Sequence, residues 1–279
     1  MAASSLHQLA FLTSHGNAYI HRMLTENDFQ AIQESNNIRN QFAVKPFNQQ
    51  HEILAGEFAQ CFQSSEYDSQ KPADAIIAWF RDLSKLKVQR LWLTGNGPTG
   101  ALPPQIAMAF VNAVPKGIAA VTDKETLFFV PHWKYNQDKW NVTYDYHYIP
   151  VKCHFGDGNI NECLDFLKET LKGAIEFCEK GVALKEWAPK FAGYLDQLHS
   201  DNPKYIFSDI PSKGYSLDAR RLYSASVVCQ IFGGMGSWND VWFIEPELQE
   251  SYDLYSSKIY KAITDGFDTA VNAFDPTIV

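Results

Sequence analysis

Apolar residues recur at intervals of three and four along much of the chain, which is the period of an amphipathic helix. The clearest example begins at Ile160 and ends near Gly181, where a glycine can terminate a helix. One predicted helix follows Asn48, and a second has Pro72 in its first turn. Five others cover residues 103–112, 160–181, 191–198, 217–232 and 248–274. Each of them is expected to bury its apolar face in the protein core.

Four shorter stretches are rich in β-branched and aromatic residues, as strands are. They cover residues 88–94, 117–122, 126–131 and 140–151. Polar turns at 123–125 and 136–139 separate the last three stretches, so an antiparallel meander is the simplest arrangement. The last strand alternates strictly, with an aromatic stripe on one face and polar side chains on the other.

These elements predict an α+β fold, in which an antiparallel or mixed sheet centred on residues 88–151 is covered by helices. A helix-turn-strand-helix unit follows at the C-terminal end, with Val241–Ile244 as its short strand. A single compact body over residues 1–279 is favoured. The polar segment 200–206 is the alternative boundary, and it would separate a C-terminal unit at 207–279.

Composition excludes several functional classes. The chain has 24 Lys and Arg against 32 Asp and Glu, and the resulting net charge of −8 disfavours nucleic acid as a partner. Its five cysteines are an odd number without paired spacing, which suits a reducing compartment. No apolar run approaches the roughly 18 residues of a membrane span, and no leader pattern occurs at the start. We therefore expect a cytoplasmic protein without a membrane anchor.

One glycine-rich loop follows a predicted strand and formally matches a dinucleotide-binding fingerprint, with Gly95, Gly97 and Gly100 at the required spacing. Pro98 removes a backbone amide that such a phosphate site would use, so a tight structural turn is favoured and no cofactor is predicted. The alternative function is a hydrolase-like enzyme, whose site would assemble near Gly95–Gly100 from dispersed His and Asp residues. The candidates for proton transfer are His132, Asp145 and His147, with Asp157 nearby in sequence.

Histidine and cysteine residues also gather between positions 132 and 163, and both are common zinc ligands. They are His132, His147, Cys153, His154 and Cys163. Their spacing is irregular, and the apolar face of a predicted helix accounts for Cys163. No metal site and no catalytic residue is therefore predicted.

The most distinctive string is Phe232-Gly-Gly-Met-Gly-Ser-Trp-Asn-Asp240, which compresses three glycines and Trp238 between a predicted helix and a predicted strand. With its surroundings, from about residue 217 to 274, it resembles a motif in small uncharacterised bacterial proteins, some of which are of immunity type. That resemblance implies a binding role and carries no catalytic residue to this chain.

The leading prediction is a non-enzymatic binding protein. The specific form that we consider is a bacterial immunity protein that neutralises a toxin by direct binding. Its acidity would steer it toward a protein partner with a basic surface. Aromatic side chains and one acidic residue are the candidates for the contact. They are Trp133, Trp140, Tyr144, Tyr146, Tyr148, Trp238 and Asp240. The tyrosine stripe has a second interpretation, which is core packing beneath a helix.

Overall fold

A computed structural model describes residues 2–28, 72–95, 116–136, 139–181, 184–203, 210–233 and 236–279. The helices are α1 (Ala2–Ile20), α2 (Pro72–Lys85), α3 (Ile160–Lys180), α4 (Trp187–Gln197), α5 (Leu217–Val228) and α6 (Pro246–Asn272). The strands are β1 (Arg90–Gly95), β2 (Lys116–Val121), β3 (Thr126–Asn136) and β4 (Lys139–Ile149). Among the described residues, no helix combines the length and the apolar character that a membrane span requires.

The four strands form one sheet in the order β1-β2-β3-β4, and every neighbouring pair is antiparallel. The predicted α+β fold and the predicted meander are thus confirmed. The prediction ended β3 at Pro131, whereas the strand continues to Asn136. β2 pairs with β3 only as far as Phe129, so beyond that residue β3 pairs with β4 alone within the described sheet. Pro131 lies in this part of β3, where a strand tolerates a residue without a backbone N–H.

The helix boundaries follow local signals that the sequence carries. The Asn159 side chain accepts hydrogen bonds from the first turn of α3, and Ser216 does the same for α5. Pro246 occupies the first turn of α6, where its missing N–H has no helical partner to lose. The predicted helices after Asn48 and at 103–112 lie outside the described residues, as does most of the Gly95–Gly100 loop.

The sequence interpretation missed α1, because polar residues interrupt its apolar spacing. Residues 6–18 of this helix are buried without a break, although His7, Gln8, Ser14 and Asn17 are among them. The buried polar groups find specific partners: the hydroxyl of Tyr144 donates to Gln8 Oε1 at 2.8 Å, for example. A helix enclosed on all sides does not need an amphipathic pattern, so periodicity could not reveal it.

Two asparagines cover the free edge of β1. The Asn17 amide of α1 donates to the carbonyl of Leu91 at 2.9 Å and accepts from the N–H of Leu91 at 2.7 Å. Asn272, at the end of α6, makes the same pair of bonds with Leu93 at 2.9 and 2.7 Å. Each side-chain amide thus replaces one residue of a neighbouring strand and closes an edge that would otherwise invite pairing.

α6 connects the helical layer to the sheet. It packs against α3, α5, α1 and β1. At the sheet, the ammonium of Lys116 on β2 contacts the carboxylate of Asp268, with 2.6 Å between Nζ and Oδ1. α6 therefore stabilises both the edge strand and its neighbour.

Candidate partner-binding site

The structure describes residues 232–233 and 236–240 of the glycine-rich string, which follows α5 and ends in a short 3₁₀ helix at Trp238–Asp240. Gly233 and Gly236 have φ angles of 98° and 76°, in the left-handed region that favours glycine. The carboxylate of Asp240 accepts hydrogen bonds from the backbone N–H groups of Gly236 and Ser237, at 2.5 and 3.1 Å. Asp240 is itself exposed, so it holds the turn while it adds negative charge to the surface.

Trp238 lies in the core rather than at the surface. Its side chain is 0% exposed, and its indole Nε1 donates to Ser256 Oγ at 2.7 Å. Its ring stacks on Tyr252 with 5.1 Å between centroids and meets Trp187 and Phe191 edge-on. The predicted partner contact through Trp238 is therefore corrected to a packing role, because a buried indole presents no surface to a second protein.

The chain leaves this turn as the segment at 241–245, which we call the outer segment. Trp242 is 73% exposed and Ile244 is 82% exposed, whereas Phe243 between them is buried. The predicted strand at Val241–Ile244 is wrong as a paired strand, because this segment belongs to no ladder of the described sheet. Its backbone is nevertheless extended at Val241, with φ −87° and ψ 133°, and it bends at Ile244 and Glu245 before α6 begins.

Phe243 anchors the outer segment to the helical layer. Its ring meets Phe177 of α3 and Tyr252 of α6, with centroids 6.2 and 5.9 Å apart. Its backbone N–H donates to Gln249 Oε1 at 2.9 Å. Because Phe243 is fixed from both its side chain and its backbone, its two neighbours are held pointing outward.

The sequence around the outer segment is acidic. Between Arg221 and Lys258 the chain contains five carboxylates and no lysine or arginine. All five are exposed, and they are Asp240, Glu245, Glu247, Glu250 and Asp253. Leu254, on the first half of α6, adds a further exposed apolar side chain at 52%. Trp242 and Ile244 thus belong to an acidic stretch of the sequence.

The tyrosine stripe divides between core and surface of the sheet. Tyr144 is buried against α1, and its burial raises the pKa of the phenol well above the usual value. Tyr148 is partly exposed and donates from its hydroxyl to Glu125 at 2.8 Å, a bond that raises the pKa of Tyr148. A partner role for Tyr144 is therefore corrected to core packing.

The other aromatic candidates can be placed only by register. Tyr146 shares the sheet face of Tyr144, and Trp133 and Trp140 occupy positions on the same face of the β3–β4 hairpin. The side chains of residues 132–143 and 145–147 lie outside the described part of the structure, so their role in binding stays a prediction.

The elements of the alternative hydrolase-like site are only partly described. By register, His132, Asp145 and His147 occupy the hairpin face opposite the aromatic stripe. Asp157 is engaged elsewhere, in an ion pair with Arg90 at 2.5 Å. Residues 96–100 of the glycine loop lie outside the described residues, and no shared pocket can be assigned to this set.

A polar cavity of about 290 Å³ lies between α3, the end of α4 and the start of α5. Its lining includes His199, Asp165 and Asp218, but no serine, threonine or cysteine that would serve as a nucleophile. Asp218 is paired with Arg221 at 3.0 Å, and His199 Nδ1 lies 3.2 Å from the carbonyl of Leu195. The described lining of this cavity therefore pairs no hydroxyl or thiol nucleophile with His199.

Two cysteines of the helical layer, Cys178 and Cys229, are buried. Burial raises the pKa of Cys178 to about 12 and raises that of Cys229 further, so both thiols are protonated at neutral pH. Within the parts of the chain that the structure describes, no three His, Cys, Asp or Glu residues are grouped so that they would hold a metal ion.

Sequence reasoning missed Trp242 and Ile244, which are the most exposed large apolar residues of the described chain apart from the terminal Val279. The available signal was the run of four apolar residues from Val241 to Ile244, between a glycine-rich string and Pro246. An apolar run that is this short, and that is followed within two residues by a proline, can mark a surface segment as well as a strand.

Comparisons of this chain with protein-family models, with curated proteins and with solved structures find no match. The resemblance to immunity-type proteins thus stays a prediction, and the functional argument depends on the site itself.

Proposed function

We propose that this chain is a non-enzymatic binding protein, and that it contacts a protein partner through the outer segment. The observation that carries the proposal is the exposure of Trp242 and Ile244, at 73% and 82%, on a segment that Phe243 holds in place. Large aromatic side chains are the commonest hot spots of protein interfaces. A rigid support also lowers the entropy lost when they bind.

The charge around the outer segment selects the partner. Five exposed carboxylates accompany the two apolar side chains, and the net charge of the whole chain is −8. Such a surface attracts a partner that surrounds an apolar recess with Lys and Arg, and it repels an acidic one. Association with that partner will slow as salt is added, since ions screen exposed charges over about 10 Å at 0.1 M.

A toxin is the partner class that we favour within this proposal. The string at 232–240 resembles a motif found in proteins of immunity type, and the acidic surface suits a basic toxin. Binding would neutralise the toxin by covering its active site or its substrate surface. The hydrolase-like alternative has no comparable support among the described residues.

The test uses the products of the genes adjacent to this one. Each product is tested for co-purification with the wild-type chain and with Trp242→Ala, and for toxicity that the chain relieves in cells. We expect one basic product to bind, and Trp242→Ala to weaken that binding by at least 30-fold, the size of a hot-spot loss.

Phe166→Ala is the matched control, because Phe166 is also an exposed aromatic residue, at 37%. It lies on α3, eleven residues before Phe177, which is the α3 residue that contacts the outer segment. It should bind as the wild type does. The proposal is overturned if no adjacent product binds or is neutralised, or if Trp242→Ala and Phe166→Ala bind equally well.

A further inference from the structure

The backbone of the outer segment has one engaged edge and one open edge. Phe243 N–H donates to Gln249, which lies on the side of α6. For the N–H groups of Trp242 and Ile244 the described structure records no hydrogen bond. In an extended chain, successive residues direct their backbone N–H and C=O groups to opposite edges. Burial alternates over Trp242, Phe243 and Ile244, so the backbone groups of Trp242 and the N–H of Ile244 face the open edge, up to the bend at Ile244.

The free edge of β1, by contrast, is closed. Asn17 and Asn272 occupy the backbone groups of Leu91 and Leu93 on the free edge of β1. Among the described residues, no side chain bonds to the backbone of Trp242 or Ile244, and apart from the terminal Val279 these are also the two most exposed large apolar residues. Unpaired backbone beside exposed apolar side chains is the arrangement to which a strand adds.

We infer that the outer segment binds its partner by strand addition, in which an extended and basic segment of the partner hydrogen-bonds to Trp242 and Ile244. This inference rests on the proposed function and adds the geometry of recognition. The incoming strand would pair with the N–H and C=O of Trp242 and with the N–H of Ile244, where the chain bends. Its apolar side chains would pack on the Trp242 indole while its Lys or Arg residues face the neighbouring carboxylates.

The pairing is confined to a short edge. The Gly236 turn limits it on one side, and Pro246 limits it on the other because α6 begins there. A second copy of this chain is a poor occupant, since it would bring its own five carboxylates against these five. The charge thus favours a basic strand over self-association.

The experiment uses the full chain and a synthetic peptide as the probe. The peptide alternates valine and threonine over five residues, with two lysines at each end. Its control has the same sequence with N-methyl groups on alternate residues, which block one hydrogen-bonding edge. Amide exchange is followed by NMR at saturating peptide. We expect the Trp242 and Ile244 amides to exchange at least tenfold more slowly, the Phe243 amide to be unchanged, and the methylated peptide to give no protection.

Two variants isolate the backbone contribution. Ile244→Pro removes both the side chain and the N–H, whereas Ile244→Ala removes most of the side chain and keeps the N–H. Strand addition predicts that Ile244→Pro binds the peptide about tenfold more weakly than Ile244→Ala. Circular dichroism and the melting temperature establish that both variants are folded.

The outcomes separate this inference from the proposed function. Strand addition is overturned if the peptide does not bind at millimolar concentration, if it binds without protecting the Trp242 and Ile244 amides, or if the two Ile244 variants bind equally. It is also overturned if the protection appears without peptide because the chain dimerises. In each case the partner can still depend on the Trp242 side chain, so the result of Trp242→Ala with the adjacent gene products stands by itself.

Discussion

Replacing Asn17 by Asp tests how the edge of β1 is closed. Asn17 is 0% exposed, and its amide both donates to and accepts from the backbone of Leu91, at 2.9 and 2.7 Å. Aspartate has nearly the same shape. When ionised, however, it has no donor for the Leu91 carbonyl and places two acceptors together. When protonated, it can still supply one acceptor and one donor.

The substitution should therefore make stability depend on pH. In the folded variant, burial and the facing carbonyl raise the pKa of the new carboxyl, and a fully buried group of this kind shifts by about two to three units or more. Because the folded pKa lies above the unfolded value, the stability is fully present below roughly pH 4 and is lost as the pH rises through the folded pKa. At about 1.36 kcal/mol for each unit, the loss is about 3 to 4 kcal/mol.

The assay is urea unfolding followed by tryptophan fluorescence at several pH values from 4.5 to 8. The quantity compared is the free energy of unfolding of the variant minus that of the wild type at the same pH, which cancels the acid sensitivity of the other carboxylates. Asn17→Ala is the first control. It leaves the Leu91 N–H and C=O unpaired at every pH, and should lose about 2 to 4 kcal/mol without pH dependence.

Asn202→Asp is the second control, because Asn202 is exposed and its side chain closes no strand edge. It should change stability by no more than about 0.5 kcal/mol. Should Asn17→Asp lose the same free energy at pH 4.5 and at pH 8, the side-chain amide does not act as a strand substitute, and the reasoning about the covered edge is refuted.

Three further predictions concern the ion pair and the turn regions, each measured by chemical unfolding. Asp268→Asn removes the charge that pairs with the buried ammonium of Lys116, and should lower the free energy of unfolding by about 3 kcal/mol. Adding Lys116→Met should restore most of that loss. Equal losses in the single and the double variant would contradict this prediction. Trp238→Ala should cost about 3 to 5 kcal/mol, and a change below 1 kcal/mol would place this indole outside the core. Gly214→Ala should cost about 1 to 3 kcal/mol, because φ is +83° and the new methyl group meets the Phe274 ring; a neutral effect would show that the turn relaxes.

Elements whose stability depends on an amphipathic face could be predicted from the sequence. Pro72–Lys85 begins at the predicted proline, and Ile160–Lys180 begins and ends within a residue of its predicted limits, because a cap or a proline marks the start and one apolar stripe marks the buried side. The same reasoning fails for α1, since His7, Gln8 and Asn17 are buried there through long-range hydrogen bonds. Such partners lie up to 216 residues away in sequence, and no local pattern announces them.

The candidate site shows the same limit at shorter range. Trp238 and Trp242 are four residues apart in one glycine-rich neighbourhood, and each suits either a core or an interface. The 3₁₀ turn at 238–240 gives the two indoles different positions. It directs the Trp238 indole onto Tyr252, and in the residues that follow burial alternates, so that Phe243 takes the inner position. A single residue of shift would bury Trp242 and expose Phe243. The choice of binding residue therefore depends on the register of one turn, which the carboxylate of Asp240 fixes by accepting two backbone hydrogen bonds.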